Sequence, residues 1–338
     1  MFVWCLSAMA AIALAQDPNA EVEAEVDGAV EVIAPPSLEE IWASLPPEEL
    51  LVQAIGFRDT GNRQAALDRL MFLNDRQPNP RLTFELGKTV ELMEAYAEAL
   101  PYYDDVLADP GADPGLKDAA AFRRIIVLDD LGEHRASIQQ TRQLLKSREW
   151  SETDEQALIL ARGIAEVSMG ASRKGARRID DALTALMGTN AHPWMQSRAR
   201  FALVEAMLNE ARELELVGDK KAARRLQARS DLMIAAERQV VAIAELGEPE
   251  YALEGIVLLG DAYLHLYDDL LAAPPPRKLD DTQIAIYRQE VEGKAAVLTS
   301  KARAYFDQGV QFAQRVDWQG AARQALADRL EAMAEAGG

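Results

Sequence analysis

RLTFELGKTVELMEAYAEALPYYDDVL, residues 81–107, contains Gly87-Lys88-Thr89, the triplet that closes a phosphate-binding loop. Such a loop needs another glycine five positions before the Gly-Lys pair, so that successive backbone N–H groups can cradle a phosphate after a buried strand. Leu82 stands there instead. The preceding residues, Asn79-Pro80-Arg81-Leu82-Thr83, offer a helix cap and a first-turn proline and lack strand alternation. The stretch therefore reads as helix, with Gly87 at a packing seam and Lys88 on another face.

Outward from this stretch the same spacing recurs, about 33 residues earlier, in different letters. Leu50, Ala54, Phe57, Gly61, Ala66, Leu70, Leu73 and Pro78 form the first copy; Leu86, Gly87, Val90, Glu94, Tyr96, Ala99, Tyr103, Val106 and Pro110 form the second. Ala54, Ala66, Gly87 and Ala99 let two antiparallel helices approach closely, while Phe57, Leu70 and Tyr103 fill the space beside them. Gly61 ends a helix without a Cβ penalty, and the prolines close each unit. A third copy spans 118–146 through Ile125, Leu128, Gly132, Ile138 and Leu144, entered by the turn-forming loop 109–115. A fourth spans 157–186 through Leu160, Ile164, Val167, Ala176, Leu183 and Leu186.

These residues resemble the tetratricopeptide repeat (TPR), a helix-turn-helix unit of about 34 residues. The resemblance implies an all-α, TPR-like α-solenoid over 38–190 that works by binding other proteins on a concave face. A generic solenoid of helical hairpins has the same periodicity and stays open. From Pro193 the helices outgrow the repeat, so 191–338 reads as an extended helical-hairpin region with longer helices. The run from Trp194 and the run from Lys220 form one long hairpin, broken at Gly218-Asp219. Leu259-Gly260 with Tyr263 again looks like a first repeat helix, whose second helix is displaced by Ala272-Ala273-Pro274-Pro275-Pro276. A long helix over 282–315 and a short one over 320–334 follow. This tail is similar to TPR proteins from the cell envelopes of myxobacteria and their relatives, some of them in gliding-motility assemblies. That similarity implies an exported, non-enzymatic assembly component.

Composition agrees with helix. Of 338 residues, 49% are hydrophobic and only 6% aromatic, which favours helix over strand. The net charge is −19, and residues 1–57 hold ten acidic groups without a lysine or arginine. An acidic chain lacking a basic stripe is a poor partner for nucleic acid or an anionic membrane surface. Residues 1–15 read as a signal peptide, because the apolar run MFVWCLSAMAAIALA ends in a small-x-small site before Gln16. A short buried helix is the competing reading. Cys5, the sole cysteine, lies inside this run, so a cleaved chain has none; a lipid-modified Cys5 is a minor option. Residues 16–37, with alternating Glu-Val and a terminal Pro-Pro, read as an acidic tether.

No catalytic, cofactor or metal constellation emerges. His134, His192 and His265 have no second histidine or cysteine at ligand spacing. His134 reads as a turn residue, His192 as a helix start and His265 as a packed core imidazole. The pairs Asp104-Asp105, Asp129-Asp130, Asp180-Asp181, Asp268-Asp269 and Asp280-Asp281 read as solvated helix faces, since neighbours on a helix do not face one another. The functional surface expected is the concave groove, presenting Arg58, Arg81, Phe84, Lys88, Glu91, Phe122, Arg123 and Asp129 to an extended or helical acidic peptide. The expectation is thus an exported protein-binding scaffold of a cell-envelope complex, periplasmic or associated with the outer membrane, with no small-molecule substrate. Two alternatives stand beside it: a recruiter of peptidoglycan or another polysaccharide using Phe84, Tyr102 and Trp150, and a cytoplasmic TPR adaptor if the N-terminus stays uncleaved.

Overall fold

The computed structural model describes residues 36–216, 221–276 and 279–336. The expected signal peptide with Cys5, the tether up to residue 35 and the Gly218-Asp219 break lie outside the described residues. Within them the chain is helical and has no strand. A short helix α1 (Leu38–Ser44) precedes a series of hairpins: α2 (Pro47–Asp59) with α3 (Arg63–Arg76), α4 (Pro80–Leu92) with α5 (Tyr96–Ala108), α6 (Pro114–Asp130) with α7 (His134–Ser147), and α8 (Glu152–Ser168) with α9 (Ser172–Ala185). Longer helices follow: α10 (Pro193–Glu213) with α11 (Ala222–Glu245), then α12 (Pro249–Ala272) with α13 (Asp281–Arg315), and finally α14 (Ala321–Ala336).

Sequence explains where each hairpin starts and turns. The leading helices α2, α4, α6, α10 and α12 all carry proline in the first turn, where the missing N–H costs nothing and the fixed φ suits the helix. The remaining one, α8, is capped by Ser151, whose Oγ accepts from the Asp154 N–H at 3.1 Å. Each leading helix of the first four hairpins ends on a residue in the left-handed region: Gly61 (φ 84°), Glu94 (63°), Gly132 (80°) and Gly170 (88°). The next N–H then bonds back five residues, as in Asn62 to Phe57 O at 2.8 Å and Glu133 to Leu128 O at 2.8 Å. This repeated turn identifies the solenoid as TPR-like, with the expected longer helices at its C-terminal end. Gly87 sits mid-helix, and a Cβ on it would stand 2.9 Å from the Tyr102 Cβ; a side chain there would push α4 and α5 apart.

The leading helices α4, α6, α8, α10 and α12 form an inner row, each packed on the next, and the trailing helices form the outer layer. Ala54, Ala66, Ala99, Leu70 and Tyr103 are fully buried between the layers. Two expectations need correction. The Ala272–Pro276 connector does not displace a second helix, because α13 itself packs back along α12. His265 is exposed and not a core imidazole: residues one apart on a helix point about 100° apart, so Leu264 and Leu266 can face inward while His265 faces water.

The row also curls until its ends meet. The Gln319 N–H, between α13 and α14, donates to the Thr60 carbonyl between α2 and α3 at 2.7 Å. Arg63 at the start of α3 pairs with Glu250 at the start of α12. The concave side is consequently a lumen that stays partly open to solvent, with Glu94 and Glu205 exposed.

Candidate functional site: a divided lumen

The lumen is split by one side chain. Arg123, from the middle of α6, lies 2.9 Å from Glu91 of α4 and 3.8 Å from the centre of the Trp194 ring of α10. Glu91 also accepts a hydrogen bond from the Tyr103 hydroxyl. Burial works against the Arg123 charge, and the Glu91 carboxylate more than restores it. This bridge separates two compartments, with Trp194 lining both.

Towards the helix N-termini lies an aromatic compartment of about 490 Å³, walled by Phe84, Phe122, Trp150 and Trp194. Its polar groups have partners within it: Arg148 lies 2.7 Å from Asp118 and stacks over Trp150, and the His192 Nε2 lies 2.9 Å from Asp154.

Towards the C-termini of α4, α6 and α8 lies an acidic compartment of about 360 Å³. Glu91, Glu94, Asp129, Asp130, Glu205, Glu250 and Glu254 converge on it from α4, the α4–α5 turn, α6, α10 and α12, between the rings of Tyr96, Trp194, Phe201 and Tyr251. Some have close partners. Asp129 lies 2.7 Å from His134 Nδ1, Asp130 pairs with Arg198, and Glu250 with Arg63. Glu94, Glu205 and Glu254 have no ion-pair partner among the described residues, and the Asp130 Oδ2 is buried without a hydrogen bond. The negative ends of α4, α6 and α8 add to this charge, since none has a basic residue in its last turn. Burial, reinforced by Glu250 and Glu94, pushes the Glu254 carboxyl up to about 8. Among the described residues no group of three or more His, Cys, Asp or Glu is disposed to hold a metal ion.

The eight residues expected on one open groove are therefore distributed. Phe84, Phe122 and Arg123 meet in the aromatic compartment. Glu91 belongs to the dividing bridge, and Asp129 lines the acidic side. Arg58 is 4% exposed and pairs with Asp59 and Glu85, so it is no free cation for a peptide. Lys88 lies half-buried beside Arg58 and Arg123; burial first, and those two guanidinium groups after it, push its ammonium down to about 8. Arg81 stands apart, exposed, 4.0 Å from Glu48. Asp129-Asp130 is not a solvated face, because the curl of the inner row turns both side chains into the lumen: Asp129 is 7% exposed. Glu94, Asp130, Trp194, Arg198, Glu205, Glu250, Tyr251 and Glu254 were not anticipated. Glu94 left one signal, a carboxylate in the turn position that holds glycine in the other three short hairpins.

No protein-family model and no curated protein matches the chain. Among solved structures it is similar to a tetratricopeptide repeat protein from Parabacteroides merdae, with 16% identity, 85% of this chain and 98% of that chain covered, and a TM-score of 0.37. It is also similar to the TPR domain of P58(IPK), with 15% identity, 86% and 97% coverage, and a TM-score of 0.26.

Proposed function

We propose that the chain is an exported, non-enzymatic helical-repeat protein that docks a protein partner in its lumen and serves as a scaffold or assembly factor of a cell-envelope complex. The apolar run ending at Ala15, the acidic tether and the similarity of the C-terminal region to envelope TPR proteins support export and the envelope setting. Sequencing the native N-terminus tests export: a start at Gln16 supports it, and an intact Met1 favours the cytoplasmic adaptor.

One observation carries the docking reading: unpaired carboxylates from three separate elements face one small, ring-walled compartment. The partner it fits is a segment presenting a lysine or arginine side chain, the opposite polarity to the acidic peptide expected of the groove. A cation entering beside Glu254 lowers its pKa and displaces its proton, so binding and ionisation reinforce each other. Titration calorimetry with tetralysine at pH 9, where Glu254 is ionised, tests this. The Glu205→Gln/Glu254→Gln pair should weaken binding about tenfold, roughly 1.4 kcal/mol. The equally neutralising Glu98→Gln/Asp105→Gln pair on the exposed face of α5 should change it little. Equal losses would reduce the effect to attraction by the overall charge of −19.

A second reading has its own support, because Phe84 and Trp150 line one compartment beside Asp118, Asp154 and Arg148. Rings with adjacent hydrogen-bonding groups suit a polysaccharide. Retention on purified sacculi that is lost in Trp150→Ala, with tetralysine binding intact, would favour it.

A further inference from the structure

Lys88 is a cation set among cations. Along α4, Glu85, Lys88 and Glu91 follow at intervals of three residues, so the lysine lies midway between the two carboxylates on one face of the helix. Both carboxylates are already held by guanidinium groups of neighbouring helices: Glu85 pairs with Arg58 of α2, and Glu91 lies 2.9 Å from Arg123 of α6. Lys88 itself has no hydrogen bond or ion pair among the described residues. The other charges that face it are Asp59 of α2, which lies 3.1 Å from Arg58, and Glu248 at the start of α12. Lys88 lines neither compartment of the lumen, so nothing said of those compartments accounts for it.

This setting disfavours the ammonium twice over. Half-burial strips water from it and the two guanidinium groups repel it, while Glu85 and Asp59 offset these effects only in part. With the amine pushed down to about 8, roughly a fifth of it is neutral at pH 7.4, against ~0.1% for an ordinary lysine. A neutral amine beside other cations is a nucleophile. The guanidinium groups that repel a positive charge at this nitrogen also attract a negative one, so a reaction that makes the nitrogen substituent anionic is favoured by the same cluster.

We propose that Lys88 takes up carbon dioxide as a carbamate held between Arg58 and Arg123. The amine lone pair attacks the CO2 carbon, an N–C bond forms as one C=O electron pair moves onto oxygen, and one proton leaves the nitrogen for water. The co-reactant is CO2 itself, and no oxidant, reductant or activated donor enters the balance. Being small and uncharged, CO2 reaches a half-buried amine without carrying charge into the cluster. The product places one negative charge where the ammonium carried a positive one, and repulsion from the two guanidinium groups becomes attraction.

Two measurements on the full chain test the site. In the first, the unmodified chain is equilibrated with 13C-labelled CO2, carbamates are trapped by O-ethylation with triethyloxonium, and the labelled lysines are located by peptide mass spectrometry. At pH 7.4 the labelled fraction at Lys88 should exceed that at the exposed Lys146 by at least about twentyfold, within the roughly 200-fold difference in neutral amine. At fixed dissolved CO2 the Lys88 label should also rise from pH 6.5 to 8.5, because the reaction consumes the neutral amine. Equal fractions at the two lysines would overturn the proposal. In the second measurement, 13C NMR of the same mixture should show a protein-bound carbamate signal that Lys88→Arg removes while keeping a positive charge at the position. Persistence of that signal in Lys88→Arg, or its absence from the unmodified chain, would overturn the proposal. A bicarbonate ion held non-covalently beside Arg58 and Arg123 would leave no trapped ester on Lys88, and that result also counts against the carbamate.

Discussion

Glu166 and Glu254 are both carboxylates set on leading helices of the same row, and their surroundings are opposite. Glu166, 2% exposed near the end of α8, is surrounded by Arg162 at 3.1 Å, Arg178 at 2.9 Å and Lys174 at 3.4 Å. Glu254 has Glu250 one turn away on α12 and Glu94 and Glu205 on neighbouring elements, with Arg63 as the nearby cation. The first arrangement is complete without any further molecule. The second leaves like groups close together with one cation beside them, the arrangement on which the proposed docking site rests. The two should therefore answer substitution and pH in opposite directions.

The largest effect belongs to Glu166→Gln. Removing the one carboxylate from a buried cationic cluster leaves uncompensated guanidinium charge, at a cost of about 3 kcal/mol by the general behaviour of broken buried pairs. Urea unfolding at neutral pH reads it directly. Burial alone would raise the Glu166 pKa, but the hydrogen bond and charge of Arg178, with Arg162 and Lys174, hold it below the usual carboxylate range. Its contribution is thus present above the unfolded value of about 4.3 and is lost as pH falls through the lower folded value. A loss of under about 1 kcal/mol would show that solvent reaches the cluster, and the contrast with Glu254 would narrow.

Glu254→Gln should work the other way. Its folded pKa, raised to about 8, exceeds the unfolded value, so the folded chain keeps a proton that the unfolded chain releases. The favourable contribution is full below about pH 4 and declines as pH rises through 8. The substitution should stabilise the protein by about 1–2 kcal/mol at pH 9 and hardly at all at pH 4, seen by unfolding at both values. Tetralysine should bind the unsubstituted chain more tightly as pH rises from 6 to 9, with proton release visible as a buffer-dependent heat. Identical affinity at both pH values would detach Glu254 from the site.

Glu94→Gly tests the same compartment through the backbone. A non-glycine residue at φ 63° carries about 1–2 kcal/mol of left-handed strain, and glycine costs roughly 0.5–1 kcal/mol in unfolded-chain entropy. Relief of strain and of like-charge repulsion should leave a net gain of about 1 kcal/mol in stability with weaker tetralysine binding. Gain without weakened binding would make Glu94 a mere imperfection of the turn.

Much of the fold was legible because its signals are local. Gly61, Gly132 and Gly170 mark left-handed turns, prolines mark helix starts, and Ala54, Ala66, Gly87 and Ala99 mark the seams between paired helices. These depend on neighbours within one hairpin. The lumen does not. Whether Asp129 meets water or Arg123 meets Trp194 depends on how tightly the row curls, and that sums small rotations over several hairpins. Asp129-Asp130 and Arg58 accordingly looked like surface residues. The contact between the ends joins residues 60–63 to 250 and 319–320, a separation no repeat period reveals. For α13, the proline connector suggested a break, yet its buried Ala295, Ala302, Phe306, Gly309 and Ala313 already trace a helical stripe that needed α12 to cover it.

The smallest effect is the sharpest check on what completeness means at Glu166. Lys174 contributes the third cation, but its side chain is 61% exposed, whereas those of Arg178 and Arg162 are 24% and 19% exposed. Water screens an exposed ammonium, and ordering its long side chain costs entropy, so Lys174→Ala should lose under about 0.5 kcal/mol. The two guanidinium groups already supply directed hydrogen bonds to both carboxylate oxygens. A loss approaching that of Glu166→Gln would mean that the cluster needs total charge more than directed bonds. Charge count alone would then govern the lumen as well, and the separated carboxylates there would select a cation by charge with little regard to its shape.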